Sequence, residues 1–422
     1  MFDLAPGRVS GATQPSAPAK RLEFWLPVAL AVAAALVFYV STKATQLHFD
    51  YTYRIAGALL KGHLGLLHSP PTWLNEMIPL EGEYYSVFPL GAVLTLIPIV
   101  LLRKVWLIHE FPGLALAAVI AGGCVYFFFG LSGLANNSLG RRILLALFPV
   151  FGTWTWCNLG FGAAWQIALG FALLGETAAL YFTLVRPRPL LAGICFALAF
   201  GNRTEVILTI PIFIYFWFFH GSAHAQSEMR DTAASQPRDW RTLLRFLAIP
   251  MLLGIATAAY NFARFHSILD FGYARIPGVL GEPWYRSGLF SLSAMPWNAY
   301  KMLLEGMQSI NQFPYFRPYP FGCSIFISSP FLFLLFREGG RFRKICWIAI
   351  GTLTLFLWCH GNPGGWQFSY RYGMVLLPWM FLLLVGNGPR KISIPELTLF
   401  LASIAVNAVA VHQFLWINEI KP

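Results

Sequence analysis

Long apolar runs without charged side chains constrain the fold of this chain more than any other feature. The first run, at 24–42, follows Lys20 and Arg21 and is long enough to cross the ~30 Å apolar core of a bilayer as a helix. The other uncharged or nearly uncharged runs are 88–102, 111–140, 143–175, 189–202, 206–219, 246–263, 321–336, 345–359, 372–389 and 397–418. Most of these runs are expected to be helices, so the sequence predicts an all-α polytopic membrane protein.

The overall composition agrees with a membrane protein. Hydrophobic residues make up 57% of the chain and charged residues only 11%, whereas soluble domains carry about 25% charged residues. The net charge of +12 would suit a nucleic-acid partner, but the Lys and Arg residues occur in short groups between apolar runs, as orientation signals do. We therefore expect a membrane and no nucleic acid as the partner. The six cysteines lie in or beside apolar runs without a CxxC pair, which is typical of small core residues.

The positions of the basic groups predict the topology. Nearly all of those in short loops fall on one side, the cytoplasmic side, if the chain makes about 11 crossings. These groups are Arg141/Arg142, Arg186/Arg188, the 220–245 segment with Arg230, Arg238, Arg241 and Arg245, Arg337–Lys344, and Arg390/Lys391. The exception is Arg103/Lys104, which this topology places on the outer side. The run before this pair contains Pro89 and Pro98, so we interpret 88–102 as a juxtamembrane or re-entrant piece.

This topology divides the chain into a disordered cytoplasmic tail at 1–22 and a single transmembrane domain at 23–422. The protein is then a multi-pass protein of the inner (plasma) membrane with a cytoplasmic N-terminus. Two long hydrophilic segments, 43–87 and 264–320, face outward. The second is rich in Gly, Pro, aromatic and basic residues, which is compatible both with a flexible lid and with a folded cap of interfacial aromatic residues.

The segment after the first run offers the clearest chemistry. From Asp50 onward, apolar residues recur with helical spacing, which predicts a short amphipathic helix on the membrane surface. Asp50 then lies at the water–lipid boundary, where its carboxylate could take a proton from a hydroxyl acceptor while Arg54 and Lys61 bind a phosphate leaving group. The alternative, that Asp50 is only the N-cap of this helix, is equally compatible with the pattern.

Four stretches carry a resemblance to a known family: Ala56 to Leu66 (A-G-A-L-L-K-G-H-L-G-L) after an outer-loop Asp, Tyr84 to Gly91 (Y-Y-S-V-F-P-L-G), Gly201 to Glu205 (G-N-R-T-E) and Gly364 to Tyr372 (G-G-W-Q-F-S-Y-R-Y). With them the chain resembles the lipid-phosphosugar-dependent glycosyltransferases of the GT-C fold, of the protein-mannosyltransferase and aminoarabinose-transferase type (glycosyltransferase family 39-like). The resemblance implies a GT-C-like bundle with outer-face juxtamembrane helices, in which Asp50 is the catalytic base. It also implies a polyprenyl-phosphate sugar as the donor.

The chain departs from that family at one acidic position. The expected second outer loop, 157–162, holds no carboxylate, so the partner acid of many relatives is missing. Glu81 or Glu83 are weak substitutes, and a metal site built from them with His48, His63 or His68 fits no recognised ligand spacing. The sequence leaves a requirement for a divalent metal open.

Two further groups of residues are candidates for substrate binding. Arg203, with Glu205, lies between two short apolar runs, which predicts a broken hairpin at the outer surface, where a guanidinium could hold a polyprenyl phosphate. In one continuous helix, the same pair would only neutralise each other. Arg371 follows a Gly-rich aromatic loop with His360 and Tyr370, which favours ligand contact over simple snorkelling.

Together these residues predict an inverting membrane glycosyltransferase. It would move a hexosyl or pentosyl group from a lipid-linked phosphate donor to a glycan, lipid or protein acceptor on the extracytoplasmic face. A transporter or flippase, and a non-catalytic assembly protein of envelope polysaccharide synthesis, are the alternatives.

Overall fold

The computed structural model describes residues 17–41, 49–219, 240–417 and 419–420. His48, most of the 220–242 loop and most of the tail predicted at 1–22 lie outside the described residues. The α-helices in chain order are α1 (Ala17–Val40), α2 (Tyr51–Leu59), α3 (Leu90–Thr95), α4 (Ile97–Lys104), α5 (Gly113–Leu131), α6 (Leu139–Phe151), α7 (Thr155–Gly160), α8 (Ala164–Leu184), α9 (Pro189–Asn202), α10 (Ile210–Phe219), α11 (Trp240–Phe265), α12 (Met295–Leu303), α13 (Ile325–Ser328), α14 (Arg343–Cys359), α15 (Leu377–Gly386) and α16 (Ile394–Val411).

Short 3-10 turns and two small hairpins complete the described secondary structure. The turns span Ser132–Leu134, Thr204–Thr209, Tyr273–Arg275, Val279–Gly281, Pro283–Tyr285, Leu292–Ala294, Pro330–Phe336 and Arg371–Leu376, and a π-turn spans His412–Trp416. Strand β1 (Met77–Leu80) pairs antiparallel with β2 (Glu83–Ser86), and β3 (Gln308–Ser309) pairs antiparallel with β4 (Phe316–Arg317). The fold is therefore mainly helical, as the sequence predicts.

Within the described chain, four helices are long and apolar enough to cross a membrane, by length and composition: Gly113–Leu134, Ala164–Leu184, Trp240–Phe265 and Ile394–Trp416. Shorter apolar helices lie at Trp25–Val40, Pro189–Asn202, Thr204–Phe218 and Arg371–Gly386. The described helices thus agree with a membrane protein, while the number of 11 crossings stays a prediction.

Several predicted runs are divided in the structure. The run 143–175 contributes to α6, α7 and α8, and the connection between the last two passes through Gly162, whose φ of +64° suits a residue without a Cβ. The run 321–336 forms only α13 and the turn Pro330–Phe336, because Pro330 cannot donate the hydrogen bond that would continue α13. At the N-terminus, α1 begins at Ala17, inside the tail predicted as disordered.

The run 88–102 forms α3 and α4, which join at Leu96. Each helix is far shorter than the roughly 20 residues that a crossing needs. The short helices therefore agree with the interpretation of this run as a juxtamembrane or re-entrant piece.

The two segments predicted to face outward pack against each other. Ile78 and Tyr85 of the β1–β2 hairpin share a buried apolar cluster with Phe265, Ile276 and Tyr285. In addition, the guanidinium of Arg264 donates a 2.6 Å hydrogen bond to the backbone carbonyl of Ser86. The described part of the first segment, 49–87, and the segment 264–320 are thus in contact.

Several of the predicted cytoplasmic basic groups also come together. Arg141 and Arg337 donate hydrogen bonds of 3.0 Å and 3.1 Å to the same carboxylate oxygen of Glu396, which is buried. The backbone N–H of Ser138 donates to the carbonyl of Arg390 at 2.7 Å. The loops that carry Arg141, Arg337 and Arg390 therefore meet, while the side of the membrane on which they lie stays a prediction.

The end of α9 is held by an unusually close contact between backbones. Gly91 of α3 lies against Gly201 of α9, and a Cβ added to Gly91 would overlap the Cα of Gly201. The side-chain amide of Asn202 donates to the hydroxyl of Thr95 at 3.0 Å. These contacts therefore hold the end of α9, which Arg203 follows, against α3.

Candidate functional site

A cavity of ≈ 230 Å³ lies where the two segments that are predicted to face outward meet the ends of α9 and α14. Its walls include three residues that the sequence singled out as substrate-binding candidates, namely Arg203, His360 and Arg371. Apart from these, it is lined by Glu76, Val87, Phe88, Pro89, Trp165, Ala168, Asn202, Thr204, Glu205, Phe271, Tyr273, Leu289, Phe290, Phe356, Leu357 and Tyr372. We call this space the central cavity. Its volume is just below the roughly 300–1,000 Å³ of pockets for drug-sized ligands.

Arg203 enters the cavity from a break between helices. The helix α9 ends at Asn202, Arg203 is extended with φ −139°, and a 3-10 turn begins at Thr204. The structure thus confirms the predicted break and excludes one continuous helix. The guanidinium still pairs with Glu205, at 2.7 Å between Nη2 and Oε1, so the carboxylate both neutralises and orients it.

Arg371 has unused hydrogen-bonding capacity. Its side chain is almost fully buried at the start of the turn Arg371–Leu376. Its Nε–H finds no acceptor among the described residues. A buried N–H donor without a partner is costly, and this donor belongs to a charged group at a cavity wall. The arrangement suits an anionic ligand that accepts this hydrogen bond.

Tyr372 is shared by the two arginines. The Arg203 guanidinium carbon lies 4.9 Å from the centre of the Tyr372 ring, and that of Arg371 lies 5.2 Å from it. Cations at these distances are attracted to the face of an aromatic ring. The ring therefore holds the two guanidinium groups close together at one wall of the cavity.

Glu76 places a carboxylate in the same cavity, and the sequence analysis missed it. The indole N–H of Trp165 donates to its Oε2 at 2.7 Å. Burial raises the pKa of the Glu76 carboxyl above its usual value, while the Trp165 hydrogen bond and the charge of Arg371 oppose this rise. Its sequence environment, in a loop that also holds Glu81 and Glu83, contains no signal that would distinguish it.

His360 and Tyr370 have different positions. His360 lines the cavity, and its Nδ1 donates to the backbone carbonyl of Asn362 at 2.7 Å. Burial lowers the pKa of His360, so the ring is neutral at neutral pH. Tyr370, in contrast, is buried behind the wall and donates its hydroxyl to the carbonyl of Leu357 at 3.3 Å. Its predicted role in binding would therefore be indirect.

The three predicted residues of the first outward segment line a different space. Asp50, Arg54 and Lys61 lie in a groove of ≈ 750 Å³ along α2 and α4, here called the outer groove. The predicted helix is present and begins at Tyr51, with its apolar face buried. The Asp50 side chain makes no N-cap hydrogen bond and instead pairs with Arg54 at 2.7 Å.

The two spaces are joined through a short chain of contacts. The Tyr51 ring packs edge-on against Trp165 at 5.0 Å between centroids. The Tyr51 hydroxyl accepts a hydrogen bond from the backbone N–H of Glu76 at 3.4 Å. Tyr51 follows Asp50 directly, so the carboxylates of Asp50 and Glu76 both lie close to this side chain, one in each space.

The weak metal candidates do not assemble into a ligand set. Glu83 accepts a hydrogen bond from the backbone N–H of Gly65, and its other oxygen lies 3.9 Å from Nδ1 of His63. Among the described residues, no three His, Cys, Asp or Glu side chains are grouped as metal ligands.

Comparison of this chain with known protein families, curated proteins and solved structures finds no match.

Proposed function

We propose that this protein is a membrane glycosyltransferase that moves a sugar from a polyprenyl-phosphate donor to an acceptor on the extracytoplasmic face. The observation that carries the proposal is the convergence of Arg203 and Arg371 with the Glu76 carboxylate in one cavity. Two guanidinium groups suit a phosphate leaving group, and a carboxylate beside them suits a proton acceptor. The resemblance of the sequence to GT-C glycosyltransferases supports the same reading.

The walls of the cavity suit a lipid-linked sugar. Phe290 and Phe356 line it, are partly exposed, and pack against each other at 5.2 Å between centroids. We propose that the polyprenyl chain leaves the cavity past these rings into the bilayer, while the sugar lies against Trp165 and Tyr273. In this orientation the phosphate faces Arg203 and Arg371.

The proposed reaction is a single displacement at the anomeric carbon. The acceptor oxygen forms a bond to this carbon as the bond to the phosphate oxygen breaks, so the configuration inverts. The proton of the acceptor hydroxyl passes to a carboxylate, and the electron pair of the broken bond leaves with the phosphate, whose added charge the arginines stabilise. This chemistry needs no soluble nucleotide sugar.

Two carboxylates are candidates for the base. Family resemblance favours Asp50, whereas the cavity favours Glu76, which shares its walls with both arginines. Asp50 is paired with Arg54 and lines the outer groove, not the central cavity. We therefore propose Glu76 as the base that the geometry favours and keep Asp50 as the base that the sequence predicts.

The proposal also includes the finer architecture. A GT-C-like bundle with about 11 crossings and a cytoplasmic N-terminus would put the central cavity at the outer face. The 264–320 segment, which contributes Tyr273 and Phe290 to the cavity wall, would then be the lid over the donor.

The proposal can be tested with the purified protein in liposomes and a panel of radiolabelled polyprenyl-phosphate sugars. We expect sugar transfer with one donor class and a loss of at least about a hundredfold in Arg203→Gln. Glu76→Gln and Asp50→Asn then identify the base. Failure of the folded protein to transfer sugar from any donor, to any glycan, lipid or protein acceptor offered, would sink the proposal.

Transport of an amphipathic substrate is the second candidate. One observation favours it: Glu176 is fully buried within α8, where one carboxylate oxygen accepts a 2.6 Å hydrogen bond from Trp379 and the other has no partner among the described residues. Ionisable residues inside membrane helices often mark transport paths. A transporter would move intact donor across liposomes and leave the sugar–phosphate bond unbroken, which the same radiolabelled donors would reveal.

A further inference from the structure

The outer groove carries an excess of positive charge. Its walls include the cations Arg54, Lys61, Arg103 and Lys104 and the carboxylate of Asp50. Arg54 is paired with Asp50. The other three cations are Lys61, Arg103 and Lys104. None of them forms an ion pair with a described residue, because all ion pairs among the described residues join other side chains. The groove therefore offers three uncompensated positive charges to an anion.

An exposed apolar segment adjoins these cations. After α4, which ends at Lys104, come Val105, Trp106 and Leu107, and all three are exposed, with 81% of Trp106 accessible. Trp106 also lines the groove. The segment thus combines basic and apolar side chains, as membrane-surface elements do.

Trp106 also has a left-handed backbone conformation, which is unfavourable for a residue with a side chain. The backbone N–H of Trp106 donates to the carbonyl of Arg103, and that of Leu107 donates to the carbonyl of Leu102. This is the Schellman motif, whose left-handed position normally takes Gly. Here Trp106 occupies it with φ +59°, at a cost of roughly 1 kcal/mol or more. The large exposed ring gains no burial within the described chain that would offset this cost.

We propose that the outer groove binds the phosphate group of an anionic membrane lipid, with the lipid chains lying against Val105, Trp106 and Leu107. The three uncompensated cations select the anionic headgroup, and the exposed apolar segment favours a lipid over a soluble phosphate. Val100 and Leu66, which also line the groove, supply an apolar wall beside the cations. This proposal does not depend on the proposed sugar transfer.

The groove also contains the Asp50–Arg54 pair, so bound lipid would act on it. A phosphate competes with Asp50 for the Arg54 guanidinium, because both are anions that accept charge-assisted hydrogen bonds. Occupancy of the groove is therefore expected to weaken the hold of Arg54 on Asp50.

Native mass spectrometry of the purified full chain can test the proposal. The protein is titrated with dioleoyl phosphatidylglycerol and, separately, with dioleoyl phosphatidylcholine, which has the same acyl chains but no net charge. We expect phosphatidylglycerol to bind more tightly than phosphatidylcholine. In the triple variant Lys61→Gln, Arg103→Gln, Lys104→Gln, its affinity should fall about a hundredfold, because each cation contributes a factor of about five.

A matched control removes the same amount of positive charge from residues outside the outer groove. The variant Arg343→Gln, Lys344→Gln, Lys391→Gln also loses three exposed cations, but these lie outside the groove, and we expect it to bind phosphatidylglycerol as the wild type does. Trp106→Ala should weaken the binding of both lipids and keep the preference for phosphatidylglycerol. A triple variant that binds phosphatidylglycerol like the wild type would overturn the proposal. So would inorganic phosphate or a poly-glutamate peptide that displaces the lipid at equal concentration.

Discussion

At the scale of single residues, Tyr372 is the side chain on which the two arginines depend. Its ring faces both guanidinium groups. Tyr372→Leu should therefore raise the KM for the lipid-linked donor about tenfold, since it removes two cation–π contacts of roughly 0.5–2 kcal/mol each. Tyr372→Phe keeps the ring and should leave KM near the wild-type value. Initial rates at varied donor concentration measure both, and equal effects of the two substitutions would show that the ring is not the platform.

The pH dependence of transfer distinguishes the two candidate bases. Burial raises the pKa of Glu76, so the carboxylate that can accept a proton is formed only above the usual range around pH 4.3. If Glu76 is the base, kcat/KM rises with pH through this raised pKa and then levels off. In Glu76→Gln, most of the activity and this rise of kcat/KM with pH (the acidic limb) should disappear together. Initial rates of sugar transfer between pH 4 and 9 measure both. A limb that persists in Glu76→Gln and vanishes in Asp50→Asn would assign the role to Asp50.

The sequence predicted some site residues and missed others for identifiable reasons. Arg203 and Arg371 stood out because charge is rare beside apolar runs, and both line the central cavity. Glu76 did not stand out, because its contact with Trp165 of α8 spans 89 positions of the chain. Nothing local in a polar loop reveals a contact of this kind. For the same reason the sequence could not show that Asp50 and Arg203 line different spaces.

At the scale of secondary structure elements, the glycine pair between α3 and α9 is the contact that holds the end of α9, next to Arg203. A Cβ at Gly91 would overlap backbone atoms of Gly201, which cannot rotate away as a side chain can. Gly91→Ala should therefore separate the helices, shift Arg203 and destabilise the protein by about 1–3 kcal/mol.

A matched substitution controls for the added methyl group. Gly254 of α11 has open space where its Cβ would be, so Gly254→Ala should leave stability unchanged or slightly higher. Thermal unfolding in detergent and donor KM compare the two variants. Equal melting temperatures would contradict a tight contact between α3 and α9.

Element boundaries were predictable where local chemistry sets them. The break after α9 follows from charge at Arg203 between two apolar runs, and the structure confirms it. The division of 143–175 was predicted only in part. The family resemblance implied an outer loop at 157–162, whereas most of this stretch forms α7 (Thr155–Gly160), and the connection to α8 passes through Gly162 at its end. The cluster that joins the β1–β2 hairpin to the second outward segment is likewise a long-range contact without a local signal.

At the scale of the whole molecule, the account requires that the outward segments and the basic loops lie on opposite sides of the membrane. Ser69 is exposed in the first outward segment and Lys391 is exposed in a basic loop. In intact cells, a membrane-impermeant maleimide should label Ser69→Cys, whereas Lys391→Cys should react only after permeabilisation. Cys195 and Cys359 are half-buried, whereas the other native cysteines are buried. Both engineered cysteines are therefore introduced into a protein in which Cys195 and Cys359 are replaced by Ala. The reverse labelling pattern would invert the topology.

The central claim, that the cavity between Arg203 and Arg371 binds the phosphate of a lipid-linked donor, is tested most directly by photo-crosslinking. A polyprenyl phosphate with a diazirine in the isoprene unit next to the phosphate is irradiated with the purified protein, and labelled peptides are identified by mass spectrometry. The account predicts labels near Phe290 and Phe356. These labels should be lost in each of the two single variants, Arg203→Gln and Arg371→Gln. Labels confined to other surfaces, or labelling at these two residues that both substitutions leave unchanged, would contradict it.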